Sequence, residues 1–285
     1  MRNVKTLALL ATLTALLMWG GQLLGGNAGM ALALVFAGVM NIGAYWFSDR
    51  IVLRMHQARE VTEYEAPELH RMVHDLAMRA GLPMPRLFIM PEGAPNAFAT
   101  GRDPKHGVVA VTEGLLRVLD RRETAAVIAH ELGHIKNRDT LIMAIAATFA
   151  GAMSMIANAA MWGSLFGGHD DEDGSPAASL LGVMVAPFAA MLVQMSISRT
   201  REFGADEAAV RNTGEPLALA SALRKIEAYS EYAPMQAATP ATAHLFIHNP
   251  FTLRGVATLF STHPSTDARI ERLEAMASGR RPVAA

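Results

Sequence analysis

The sequence predicts a mainly α integral membrane protein, with four membrane-spanning helices in two hairpins and a cytoplasmic α+β part built on a small β-sheet. Three observations predict it. The 285 residues are 51% apolar and only 18% charged, against about 25% charge in a typical soluble domain. The apolar residues come in four uncharged blocks, Leu7 to Leu24, Met30 to Phe47, Leu141 to Phe166 and Ala177 to Ile197, each close to the ~18–20 residues that cross a bilayer core. Trp19, Trp46 and Trp162, the three tryptophans, sit at or near block ends, where interfacial aromatics gather. A soluble core could absorb the last two blocks, but it leaves the first two unexplained.

The first block follows a basic start, Arg2 and Lys5, as a secretory signal would. It exceeds the roughly 7–15 apolar residues of such a signal, and the Gly-rich turn Gly25 to Gly29 leads straight into the second block. That is the pattern of a retained helical hairpin. Charge placement orients both hairpins. The turns Gly25 to Gly29 and Gly167 to Pro176 hold no Lys or Arg, and all 25 basic residues lie on the other side. The positive-inside tendency makes that side the cytoplasm. Four parts result: the hairpin 1–48, a cytoplasmic part 49–140, the hairpin 141–197 and a second cytoplasmic part 198–285.

The polar parts read as globular. Leu69, Met72, Val73, Leu76 and Ala80 form a helical stripe over Pro67 to Ala80, stopped by Gly81 and Pro83. Short strands are expected at Arg86 to Met90, around Asn96 to Thr100 and at Gly107 to Val111, separated by Gly, Pro and Asp turns. Thr112 and Thr124 are each placed to cap a helix, and a second helix runs from about Arg122. Arg199 to Asn212, Pro216 to Ala228 and Asp267 to Met276 are helical, while Gln236 to Gly255 reads as loop. The net charge of −1 gives no global basic field, so no nucleic-acid partner is expected.

The chemistry lies at His130-Glu131-Leu132-Gly133-His134. On a helix, residues four apart share a face, so both imidazoles can bind one metal ion. Glu131 stands beside them, where it can take a proton from a water that the metal activates and pass it to a leaving amine. No cysteine is present, so any metal must be held by His, Asp or Glu. Two other pairs carry the same spacing. His70 is followed by Arg71, which gives that pair no adjacent base and makes it a surface pair; His244 and His248 stand in a Pro-flanked loop and read as packed or solvated.

A catalytic zinc site takes three protein ligands and keeps one position open. Thr140 stands where an extended motif would put a third His, so the third ligand should be a later carboxylate: Glu202, Asp206, Glu207 or Glu215. Glu202 and Asp206 share a helix face, and one of them can bind metal while the other orients a ligand histidine. His134 lies just before the third apolar block and Glu202 just after the fourth. The second hairpin therefore closes the gap between them and puts the site near the membrane face.

His130 to His134 before a hairpin, and Ser198-Arg199-Thr200-Arg201-Glu202-Phe203-Gly204-Ala205-Asp206 after it, resemble the HtpX family of bacterial inner-membrane zinc endopeptidases, relatives of the CAAX prenyl proteases. Pro95 to Gly101 and Ser261 to Thr266 match as well. The resemblance implies a zincin-like catalytic part and one Zn2+ held by His130, His134 and Glu202. It implies Glu131 as the catalytic base, Asp206 as the partner that orients a ligand histidine, and Asn96 and His263 as substrate-binding or transition-state residues. It also implies substrates that are misfolded or damaged membrane proteins, or unfolded polypeptides, cleaved at the cytoplasmic face. The alternative is a non-catalytic, zinc-stabilised membrane scaffold. Glu131 argues against it, because a structural site needs ligands but no base.

Overall fold

The computed structural model describes residues 2–149, 199–232, 235, 242, 245–248 and 264–279. Helix α1 (Arg2–Met55) is two helices joined at a break, with non-helical backbone at Gly25 and Gly26. Gly26 has φ +57, a left-handed conformation that glycine adopts without the Cβ clash. The arms fold back on each other: a Cβ at Gly21 would stand 2.4 Å from the Gly29 carbonyl oxygen, and Asn41 Nδ2 donates to Thr14 Oγ1 at 2.9 Å. The turn of the first hairpin is thus tighter than the five-residue connection expected. The second arm, Gly25–Met55, is long and apolar enough to cross a membrane. Its Leu32, Val35, Val39 and Ile42 are exposed, as a lipid-facing helix requires. The second hairpin lies largely outside the described residues; its start is helix α5 (Thr140–Phe149). Ile142, Ile145 and Phe149 of α5 pack with Leu13 and Ala44 of the two α1 arms.

Among the described residues, the other α-helices and strands are β1 (Arg59–Glu60), α2 (Pro67–Ala80), β2 (Arg86–Met90), β3 (Ala97–Thr100), β4 (Val108–Thr112), α3 (Glu113–Val118), α4 (Arg121–Asn137), α6 (Arg199–Thr213), α7 (Pro216–Tyr232) and α8 (Thr266–Ala277), with a 3-10 turn at Pro104–His106. The four strands run in the order β1-β2-β4-β3. β2 and β4 are parallel, while β1 and β3 pair antiparallel to their neighbours. β3 is therefore an edge strand. β1 escapes the sequence pattern because its two residues are both exposed and show no alternation.

One of the two capping expectations fails. Thr112 caps α3, accepting from the Leu115 amide, but Thr124 lies inside α4. The α4 cap is Asp120, in a reciprocal box with Glu123, which satisfies the free amides of the first turn. Glu123 also accepts from Ser221 Oγ and Lys225 Nζ at 2.7 Å each, tying α7 to the start of α4.

α4 is the central helix. It packs against α2, α6, α7 and the sheet, and it is buried along nearly its whole length. Gly133 allows the close approach to α6, since a Cβ there would lie 3.1 Å from Ala208 Cβ and 3.2 Å from Ala205 Cα. Leu132, Ile135, Val109, Leu219 and Leu223 share the core around it.

Candidate metal centre

His130, Glu131 and His134 share the buried face of α4, one helical turn across. Glu202 reaches them from the first turn of α6. A ligand atom from each of His130, His134 and Glu202 lies within 4.8 Å of the other two. The two Nε2 atoms are 3.2 Å apart; two nitrogens bound tetrahedrally to zinc at ~2.0–2.1 Å stand about 3.3 Å apart. Glu202 carboxylate oxygens lie 3.5 Å from His134 Nε2 and 3.7 Å from His130 Nε2. Glu207 and Glu215 turn elsewhere, to Arg272 and Arg122.

The far ring nitrogens face carboxylates. His130 Nδ1 lies 2.9 Å from Asp206 Oδ1, and His134 Nδ1 lies 3.4 Å from Asp139 Oδ2. If each Nδ1 holds the proton and donates it there, each Nε2 keeps a lone pair for a metal. Asp206 sits one turn after Glu202 on α6. Asp139 comes from the α4–α5 connection, which turns through Arg138 at φ +59.

Arg269 of α8 closes the site. It is buried and grips Asp206 with two bonds, Nη2 to Oδ1 at 2.6 Å and Nε to Oδ2 at 3.0 Å. Its Nη1 donates to the Ile247 carbonyl at 2.9 Å. Burial opposes both charges of this pair, yet each partner outweighs it: Asp206 is held below the usual carboxylate range and Arg269 above the usual guanidinium value.

Glu131 is 1% exposed, and among the described residues neither of its carboxylate oxygens has a hydrogen-bond partner. Burial, with the nearby Glu202 charge adding to it, pushes its carboxyl up to about 7. The Ala99 amide opposes that rise without reaching hydrogen-bond geometry. The two histidines diverge. Burial and the Arg269 charge push His130 down. Burial also works against a charged His134, but Glu202 and Asp139 overcome it and raise the group. The field at His134 Nε2 thus favours positive charge. A buried carboxylate with no partner beside two imidazoles and a second carboxylate fits a divalent cation and a water, and wastes polar groups otherwise.

The matching sequences agree with this geometry. The model of peptidase family M48 matches residues 63–277. The chain belongs to peptidase family M48. It is similar to a Protease HtpX homolog of Desulforapulum autotrophicum, 54% identical over 275 residues that cover 95% of this chain and 89% of that protein. It is also similar to the Protease HtpX homologs of Pyrococcus furiosus, 54% identical, and Thermococcus kodakarensis, 55% identical, each match covering 96% of both chains. The fold resembles the crystal structure of S. mikatae Ste24p, with TM-score 0.56 at 18% identity; 96% of this chain is covered, and it spans 65% of that structure's length. This M48 chain is a membrane metallopeptidase with a His-His-Glu site able to hold a divalent metal.

Of the residues singled out from sequence, the fold brings together His130, Glu131, His134, Glu202 and Asp206. Asn96 precedes β3 and is turned to another chain segment, donating from Nδ2 to the His248 carbonyl at 3.0 Å. His263 lies outside the described residues. Sequence reading missed Asp139 and Arg269. Arg269 left a signal: it shares the buried face of α8 with Ile270 and Leu273, and a guanidinium in an apolar stripe needs a buried anion. Asp139 left none, because only the turn after α4 aims it.

Proposed function

We propose that this peptidase is a zinc-dependent endopeptidase of the bacterial inner membrane. Its substrates are misfolded or damaged membrane proteins and unfolded polypeptides, cleaved at the cytoplasmic face. Four membrane spans in two hairpins, with both termini and the residues 49–140 and 198–285 cytoplasmic, are supported by the four apolar blocks and by far-side turns that hold no Lys or Arg. One observation carries the reading: Glu131, buried and with no hydrogen-bond partner among the described residues, stands beside the convergent His130, His134 and Glu202.

His130 Nε2, His134 Nε2 and Glu202 would hold the metal. Bound there, zinc supplies a water of lowered pKa and polarises the peptide carbonyl. Glu131 takes the proton of the attacking water and delivers it to the leaving nitrogen. Asp206 and Asp139 hold the imidazoles in the ligating tautomer, and Arg269 holds Asp206.

The test is a pair of full-length proteins purified in mild detergent with chelator, the parent and Glu131→Gln, then loaded with zinc and given casein. The parent should cleave, and the variant should bind zinc equally and lose about 10²- to 10⁴-fold in rate. Zinc binding by both with cleavage by neither sinks the reading and leaves a zinc-stabilised membrane scaffold.

A further inference from the structure

The loop between β3 and β4 reaches back to the membrane arm. It lays the Arg102 guanidinium over the Trp46 ring, 4.9 Å from the centroid. Trp46 stands at the end of the second apolar block, in a run of three exposed aromatics, Tyr45, Trp46 and Phe47. Such a run marks a bilayer interface. Arg50 lies over the Phe47 ring at 5.7 Å, and one helical turn separates it from Trp46 on the same exposed side of α1. Arg54, also exposed, follows another turn on. Two guanidiniums from distant parts of the chain thus meet at the aromatic belt, each seated on a ring.

The loop is built to stay there. Gly101 has φ +121, and a Cβ on it would stand 2.2 Å from the His106 carbonyl oxygen, so the loop closes tightly at its base. The Gly101 carbonyl accepts from Thr140 Oγ1 at 2.8 Å, which fastens that base to the start of α5. Asp103 holds the 3-10 turn, accepting from the Lys105 and His106 amides at 2.8 and 3.1 Å and from His106 Nδ1 at 2.8 Å. Arg102 Nη2 donates to His106 Nε2 at 2.5 Å.

Two acids temper the local charge. Asp103 lies 3.8 Å from Arg102 Nε, and Asp49 acts on Arg86, adding to the larger effect of Glu60. Against them stand Arg50, Arg54, Arg102 and the exposed Lys105, so the surplus at the belt is positive. On the other side of Trp46 the same face of α1 continues as Ile42, Val39 and Val35, all exposed. An anion that fits both parts carries an acyl chain.

We propose that Arg102 and Arg50, seated on Trp46 and Phe47, hold the headgroup phosphate of an anionic phospholipid whose acyl chain lies along Ile42, Val39 and Val35. A guanidinium stacked by its face keeps its in-plane N–H donors for phosphate oxygens. Lys105 adds an exposed cation on the same loop. A lipid held there fixes how the sheet sits on the bilayer, because the loop continues β3 and is tied to α1 and α5. The proposal goes beyond the endopeptidase reading and needs no metal in the site.

The test uses the full-length protein with Trp46 as its sole tryptophan, through Trp19→Phe and Trp162→Phe, in phosphatidylcholine nanodiscs. A small fraction of lipid brominated on the acyl chain is added, and it quenches an indole that it touches. Brominated phosphatidylglycerol should quench Trp46 as strongly as about five times as much brominated phosphatidylcholine, and about 0.5 M salt should shrink that preference. With Arg50→Gln and Arg102→Gln together, the preference should fall to within about twofold of none. Arg50→Lys with Arg102→Lys should restore most of it, which separates lost charge from a lost fold. Equal quenching by the two lipids in the parent overturns the proposal. A preference that survives the double Gln change also overturns it and puts the charge elsewhere. Loss of the preference to inorganic phosphate at constant ionic strength overturns it too, as a free-anion site.

Discussion

Helices α2 and α4 carry histidines at the same spacing, and they meet opposite fates. On α2, His70 gives its Nε2 to the Val61 carbonyl at 2.9 Å, and His74 stands in solvent near Asp75. On α4, His130 and His134 are buried, each with a carboxylate at Nδ1 and Glu202 at Nε2. Spacing supplies only the shared face. Burial, an acid behind each ring and a carboxylate from a second helix make the α4 pair a candidate metal centre. His56 is a third case: 2% exposed, like the α4 pair, but with neither ring nitrogen hydrogen-bonded among the described residues. Burial pushes it down to about 4, only partly countered by Glu92.

The largest expected break in this comparison is Glu202→Ala. It leaves two protein ligands where a catalytic site needs three, so bound zinc should fall from one per chain to none after dialysis against a weak chelator, and casein cleavage should vanish. Circular dichroism should show the helices intact. Zinc retained at full stoichiometry would move the third ligand elsewhere.

Next come the acids behind the rings. Asp206→Asn and Asp139→Asn should each weaken zinc binding about 10- to 100-fold, read by competition with a chromophoric chelator. Asp206→Asn should cost more, because it also strands the buried Arg269 charge. Equal and negligible effects would mean that burial alone sets the ligating tautomer.

His56 separates burial from metal binding. Its folded-state value of about 4 lies below the ordinary 6.5. The group therefore withdraws nothing from stability above pH 6.5, and withdraws up to about 3 kcal/mol as pH falls from there to about 4. His56→Phe should flatten that loss, measured as Tm at pH 7 and pH 5 in detergent. An equal acid-induced drop in Tm for parent and variant would place the sensitivity elsewhere. The smallest effect is expected on α2, where the double change His70→Ala with His74→Ala should leave zinc stoichiometry and casein cleavage unchanged. Stability should shift by no more than about 1 kcal/mol.

Much of this was legible because it is local. The stripe from Leu69 to Leu76 gave α2, the apolar blocks gave the first hairpin, and Arg86 to Met90 gave β2. Misreadings fall where two local signals compete or where none exists. Thr124 and Asp120 both suit a cap, and the reciprocal bond with Glu123 decides for Asp120. The two exposed residues of β1 show no alternation; pairing with β2 alone makes them a strand.

The site divides the same way. At 3.6 residues per turn, spacing alone puts His130 and His134 on one helix face with Glu131 beside them. It also puts Glu202 and Asp206 on one face of α6. Tertiary packing, by contrast, puts Glu202 rather than Glu207 or Glu215 within reach of both Nε2 atoms, brings Asp139 and Arg269 to the rings, and sets Ile247 and His248 against Ala97 and Asn96. Those contacts join residues from five to 152 positions apart. No periodicity encodes them; the packing of α4 against α6, α7 and the sheet, and of α8 against α7 and α6, does.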